Sequence, residues 1–212
     1  MKAILLLSGG IDSPVAGWLM KRHDIEIVAL HCSNEPFTNG DTETKSRKAA
    51  ELLDIPMRTI KIGNILGAIL NNCDRRYYYV LQKRFLLRVA EQLAKQIGAE
   101  AIITGDNLGQ VGSQTLSNLA VIQQATALPV WRPLLSYDKQ QTMDLAKKIG
   151  TYELSIGPEI CATLGPKHPA TSSTKERIES EEAKLDVDVL VEDAMKTYTE
   201  PVAGSHLSVL DR

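Results

Sequence analysis

Cysteine is scarce in this 212-residue chain: Cys32, Cys73 and Cys161 stand far apart, with no C-x-x-C pair. That excludes a disulfide-stapled scaffold and fits a reducing compartment, so a cytoplasmic protein is expected. Its four histidines lack metal-ligand spacing, and no Ser-His-Asp arrangement can be drawn. No protein metal ligands are therefore assigned. One-sided charge is lacking too. The net charge of −2 provides no global field for nucleic acid, so any RNA contact must be local. No apolar run reaches membrane length and no signal-peptide pattern appears, so no membrane association is expected. Internal repeats and low-complexity segments are missing as well. The phosphate-binding patterns G-x-x-x-x-G-K-[ST] and G-x-G-x-x-G are both absent.

What is present is a different phosphate loop. The apolar run Ala3-Ile4-Leu5-Leu6-Leu7 reads as a buried parallel strand. Ser8-Gly9-Gly10-Ile11-Asp12-Ser13 follows it, and Pro14 then suits the first turn of a helix running to Lys21. Glycines allow a ligand close to the backbone, and the unpaired N–H groups of a helix start favour an anion. Two serine hydroxyls and the Asp12 carboxylate are expected in the same space. This strand–loop–helix resembles the pyrophosphate loop of the ATP pyrophosphatases, which cleave ATP between its α and β phosphates.

Along the chain, apolar strands alternate with helical patterns, the signature of a doubly wound α/β parallel sheet. Further strands are expected near 25–30, 58–62, 101–104 and 130–135. Helices are expected near 41–53, with Asp41 as its cap, and near 65–73, 77–97, 113–125 and 138–149. In the long helix the stripe Leu86, Val89, Ala90, Leu93 and Ile97 should face the sheet. Asp138 and Gln141 form a capping-box pattern. Residues 151–173, rich in Gly and Pro, read as loop. A five-stranded sheet of order 3-2-1-4-5 is expected over residues 1–173. Residues 174–212 read as a helical C-terminal extension.

In such a sheet, ligands bind beyond the carboxyl ends of the strands where strand order reverses. Three loops should converge there: the 8–13 loop, His31-Cys32 after the second strand, and Gly105-Asp106-Asn107-Leu108-Gly109-Gln110 after the fourth.

The stretches L-L-S-G-G-I-D-S-P-V-A-G (6–17), T-G-D-N-L-G-Q-V-G-S-Q-T-L (104–116), R-P-L (132–134), Asp138-Lys139 and I-G-T-Y (149–152) resemble the tRNA 4-thiouridine synthetase family. That family's synthetase domain also serves thiamine thiazole formation in some bacteria. The resemblance covers residues 1–171. It implies ATP and Mg²⁺, with Leu6, Leu7, Ser8, Gly9, Gly10, Asp12, Ser13, His31, Cys32, Lys83, Gly105 and Gln114 around the nucleotide. It further implies catalytic roles for Asp12, Lys139 and Cys161. Cys161 would carry sulfur as a persulfide, and the partners would be tRNA and a persulfide donor, with homodimerisation a family tendency. Some archaeal relatives hold an iron–sulfur cluster through a neighbouring cysteine; that cysteine pair is missing here, so no cluster is expected. Typical members carry an RNA-binding region ahead of the loop, whereas here the loop starts at residue 8. Capture of tRNA through a separate RNA-binding protein is the corresponding expectation.

Some roles stay open on the residues alone. Asp12 suits a metal contact, ordering of its loop or capping of its helix. Arg75-Arg76-Tyr77-Tyr78-Tyr79 with Lys83, Arg84 and Arg88 suits RNA stacking or a solvated helix face. Cys73, among apolar residues, suits packing. Two alternatives to tRNA thiolation are sulfur transfer in thiazole formation and a non-catalytic nucleotide-binding subunit.

Overall fold

A computed structural model describes residues 1–109, 112–156 and 164–199. Its frame is a parallel sheet of β1 (Lys2–Leu6), β2 (Glu26–Ser33), β3 (Met57–Lys61), β4 (Ala101–Ile103) and β5 (Val130–Trp131). The spatial order is β3-β2-β1-β4-β5, as expected. Alternation along β1 sends Ile4 to one face and Ala3, Leu5 and Leu7 to the other. Both faces are therefore covered. α1 (Asp12–Lys21), α2 (Asp41–Leu52) and α6 (Lys139–Lys148) cover one. α3 (Gly63–Asn72), α4 (Tyr78–Ile97) and α5 (Leu116–Gln123) cover the other. β1 leads through α1 to β2 on its first side, whereas β4 occupies its second side, so strand order reverses between β1 and β4.

α4 crosses from β3 to β4, so its N-terminal half lies at the carboxyl edge of the sheet. It ends at Gly98, which takes the left-handed conformation (φ 69°) that glycine accepts without strain. Of the expected stripe, Val89, Ala90 and Leu93 are fully buried, while Leu86 and Ile97 are only half-buried. Burial also spreads around the helix to Tyr78, Leu81 and Phe85. The cause is α8 (Lys175–Glu182) and α9 (Val187–Lys196), which close over α4 and contribute Ile178, Val191 and Ala194 to the same core. Glu182 of α8 pairs with Arg84 at 2.8 Å and Arg88 at 2.6 Å, both from α4. Cys73 is buried in this core and donates its thiol to the Glu181 carbonyl at 3.5 Å, which fits packing.

Local departures have local causes. β5 stops after Trp131 because Pro133 lacks the N–H that a ladder needs. The cap of α2 is Gly40, with Asp41 the first helical residue, where its charge still favours the helix start. The helix expected over 113–125 is split into a 3₁₀ turn (Gly112–Gln114) and α5, because Thr115 caps the latter at the Asn118 N–H. The Asp138/Gln141 capping box is present on α6. Within 151–173, Tyr152–Ser155 forms one short helix, α7.

Candidate functional site

The 8–13 loop leaves β1 and turns directly into α1, whose cap residue Ile11 offers no side-chain hydrogen bond. Its two serines bind the loop itself. The Ser8 N–H donates to Ser13 Oγ at 2.9 Å, the two hydroxyls lie 3.1 Å apart, and the Gly10 N–H donates to Ser8 Oγ at 3.3 Å. Ser13 is buried and holds the turn from beneath. The serines thus preorganise the backbone rather than both reaching for a ligand. Asp12 is the first residue of α1, at the positive end of the helix.

The other two loops reach the same place. Gly105 sits so close to α1 that a Cβ there would lie 2.7 Å from the Ser13 nitrogen and 2.9 Å from the Asp12 carbonyl carbon. Only glycine permits that contact. His31 and Cys32 are near the carboxyl end of β2. His31 is buried, and burial lowers its pKa despite the Leu7 carbonyl, 3.1 Å from Nδ1. The imidazole is then neutral, with Nδ1–H donating to Leu7. Its Nε2 is buried without a hydrogen-bond partner among the described residues. Burial pushes the Cys32 thiol up to about 12, so Cys32 is a packed thiol and not a nucleophile near neutral pH. Leu6 and Leu7 close the end of β1, and Leu7 bonds to the Leu30 carbonyl at 2.9 Å. Gln114 is buried in the 3₁₀ turn, with Oε1 free of partners among the described residues.

Lys83 projects from the N-terminal half of α4 onto Asp106, with which it forms a short ion pair. Asp106 is buried; its other oxygen accepts from Thr104 Oγ1 at 2.9 Å and Arg132 Nε at 3.3 Å. Burial alone would raise the Asp106 pKa, but Lys83 and Arg132 hold it below the ordinary value. Lys139 opens α6 and is exposed. Asn107 bonds to the Tyr137 carbonyl and Leu108 to that of Leu135 at 3.1 Å, which draws the start of α6 against the 105–110 loop. On its surroundings alone Lys139 is a solvated first-turn lysine beside the Asp138 cap.

Cys161, Gly157 to Thr163 with it, lies outside the described residues. The described flanks of that stretch reach the 8–13 loop on one side and α5 on the other. Ser155 Oγ donates to the Gly10 carbonyl at 3.3 Å, and Lys45 to the Ile156 carbonyl at 3.2 Å. Downstream, Asn118 Nδ2 bridges the carbonyls of Gly112 at 2.7 Å and Ala170 at 2.9 Å. Asp106, Arg132, Ser155 and Asn118 were assigned no role from sequence. For the first three the signal was membership of the longer motifs or proximity to Cys161; Asn118 carried none.

Arg75 and Arg76 are both exposed and engage local partners. Arg76 pairs with Asp74 at 2.9 Å, Arg177 stacks on Tyr77 at 5.3 Å, and Arg75 donates to the Leu164 carbonyl at 3.2 Å. Among the described residues no group of three or more His, Cys, Asp or Glu is arranged to hold a metal. No described helix is long and apolar enough to cross a membrane.

A self-braced loop between strand and helix, at the reversal point of a 3-2-1-4-5 sheet, defines the ATP-pyrophosphatase class of fold. The NMN synthetase of Francisella tularensis shares that fold, with a TM-score of 0.59 and 19% identity over 92% of this chain and 85% of that one. Within the class, residues 1–187 match the family model described as "Thiamine biosynthesis protein (ThiI)", and the chain belongs to that family. A "Probable tRNA sulfurtransferase" from Alkaliphilus metalliredigens is 42% identical over 201 residues, spanning 92% of this chain and 51% of that protein. A solved 4-thiouridine synthetase, in complex with RNA and with bound ATP, superposes with a TM-score of 0.89 at 37% identity. It aligns over 93% of this chain and 54% of that one. The chain therefore spans about half the length of the curated relatives it matches.

Proposed function

We propose that this chain is the ATP-dependent synthetase unit of a tRNA uracil 4-sulfurtransferase. ATP would lie across the 8–13 and 105–110 loops, with Leu6, Leu7, His31, Cys32, Lys83 and Gln114 around it. The observation that carries the reading is the likeness to the ATP-bound 4-thiouridine synthetase over 93% of this chain, together with the braced anion loop that the likeness includes. Residues 1–173 would form the nucleotide unit and 174–212 its helical extension.

In the reaction, the 4-oxygen of a tRNA uridine attacks the α-phosphorus of ATP. The bond to the bridging oxygen breaks and pyrophosphate leaves. Negative charge grows on the α-phosphate and the leaving group, where the N–H groups of the 8–13 loop, Lys83 and Lys139 would stabilise it. The terminal sulfur of a Cys161 persulfide then attacks C4, and AMP departs with the former uridine oxygen. A thiol reductant cleaves the remaining sulfur–sulfur bond to free the thiolated base. Mg²⁺ would neutralise phosphate charge. With Asp106 engaged by Lys83 and Arg132, Asp12 is the carboxylate that would meet the ion, which fits an ion carried largely by phosphates and water.

The test is mass spectrometry of tRNA nucleosides from cells lacking this protein, paired with pyrophosphate release by the purified chain. Loss of 4-thiouridine with ATP cleavage supports the reading. Unchanged 4-thiouridine and no cleavage overturns it. The family description favours one second reading, sulfur transfer during thiamine thiazole formation. There, ATP cleavage would not respond to tRNA.

A further inference from the structure

We propose that Asp106 and Arg132 are positioning residues for the phosphates. Asp106 holds the Lys83 ammonium at the mouth of the crevice, and Arg132 holds Asp106. This rests on the reading that ATP occupies the crevice.

A carboxylate does not enter a protein interior without compensation. The Asp106 side chain is 8% exposed, against 24% for Lys83 and 12% for Arg132. The carboxylate divides its two oxygens. Oδ2 faces the framework, accepting from Thr104 Oγ1 at 2.9 Å and Arg132 Nε at 3.3 Å. Among the described residues Oδ1 takes only Lys83. Arg132 is fixed in turn by the Gln123 side chain at 3.1 Å. So β4, β5 and α5 brace a carboxylate whose one outward task is a lysine from α4.

A lysine needs that brace. Its ammonium rides on a flexible four-carbon stem and loses considerable freedom when ordered. Asp106 bears that ordering before a ligand arrives, which leaves two of the three ammonium donors for an anion. Gly105, next in chain, touches the 8–13 loop, so the brace is tied to the phosphate cradle. The cluster of two cations and one carboxylate keeps a formal charge of +1 (1 + 1 − 1). That sign suits a polyphosphate and repels a divalent cation, so Asp106 is not a metal ligand.

The sign of one substitution separates positioning from simple charge. Asp106→Asn leaves two uncompensated cations. Were Asp106 only a neighbouring charge, the variant would bind a polyanion more tightly. If it positions Lys83, ATP binding weakens instead. Adenosine lacks phosphates and controls for damage to the whole site. Calorimetric titration of the full chain with ATP·Mg²⁺ and with adenosine reads both. The expected result for Asp106→Asn is about tenfold weaker ATP, as for one misplaced charge-assisted hydrogen bond, with adenosine within about twofold. Tighter or unchanged ATP overturns the inference, and so does an equal loss for both ligands. Should Asp106→Asn not fold, Arg132→Gln decides. It keeps the Lys83 pair but frees the carboxylate, so about threefold weaker ATP at unchanged adenosine is expected from a partial loss of the same bond. Unchanged ATP there overturns the inference. Absence of ATP binding by the unaltered chain removes the functional reading itself, and this inference with it.

Discussion

Glu182→Gln should be among the most damaging single-atom changes in the molecule. Glu182 lies on α8, in the extension, and forms two-point pairs with Arg84 and Arg88 of α4. Its side chain is 8% exposed and that of Arg84 4%. Burial pushes the Glu182 pKa up, yet the two guanidinium groups hold it down to about 2, from an ordinary 4.5. A lowered folded pKa contributes stability above the unfolded value, and that stability is lost as pH falls from about 4.5 through about 2. At about 1.4 kcal/mol per pH unit, the contribution at pH 7 is about 3 kcal/mol. Glutamine also leaves Arg84 buried without its counter-charge, a loss on the order of 3–5 kcal/mol for broken buried pairs. Urea unfolding at pH 7 should therefore show Glu182→Gln less stable by about 3 kcal/mol or more. The gap should narrow as pH falls toward 2. Glu179→Gln is the control: Glu179 is 54% exposed and 3.8 Å from Lys175, so its cost should stay within about 0.5 kcal/mol. A Glu182→Gln cost below about 1 kcal/mol, or one independent of pH, refutes the argument.

Three further outcomes follow from the proposed chemistry. Asp12→Ala should fold normally by circular dichroism and yet release pyrophosphate at least a hundredfold more slowly, on the order of losing one preorganised transition-state group; an unchanged rate in a folded variant removes Asp12 from catalysis. Cys161→Ser should retain adenylation but not sulfur transfer, because a serine hydroxyl is a far weaker nucleophile at neutral pH; labelled persulfide trapped by alkylation should map to Cys161, and label only on Cys32 or Cys73 rejects the assignment. Filter retention should show weak, salt-sensitive tRNA binding by this chain, given its charge of −2. Changing both Arg75 and Arg76 to Ala should weaken it further, so tight binding at physiological salt, or no response to those changes, contradicts the expectation.

The parts visible in the sequence were those carried by short-range pattern. The parallel sheet followed from βαβ alternation, and the 8–13 loop from a strand, a glycine pair and a helix start in direct succession. The Asp138/Gln141 box and Gly98 were equally local. The misplacements arose where neighbours override pattern. Pro133 truncates β5, and Gly40 takes the cap from Asp41. α4 is buried on several sides because α8 and α9 return to it from a hundred residues away, beyond any helical period. Asp106 stood in a loop expected at the crevice, but its pairing was hidden for the same reason. A polar residue after a strand reads as a turn, and only the fold shows Lys83 and Arg132 meeting upon it.

The same long-range contacts bear on how the two proposed half-reactions would share one crevice. Adenylation needs a rigid anion cradle, because preorganised donors act without rearranging during reaction. The braced serines and the Gly105 contact supply that rigidity. Sulfur delivery needs a thiol-bearing segment anchored to the cradle rather than built into it. The described flanks of the Cys161 stretch meet that need from both sides. Ser155 bonds to Gly10 in the first loop, while Asn118 joins Gly112 of the 3₁₀ turn to Ala170. Asn118 is fully buried, so its amide cannot exchange these carbonyls for water at little cost. Ser155 is thereby held at the first loop and Ala170 at α5. Cys32, the thiol nearer in sequence to the crevice strands, has the opposite character, with a pKa pushed to about 12 by burial. Under the proposed chemistry a thiol held protonated by burial suits packing at Cys32 and leaves the sulfur-carrying role to Cys161.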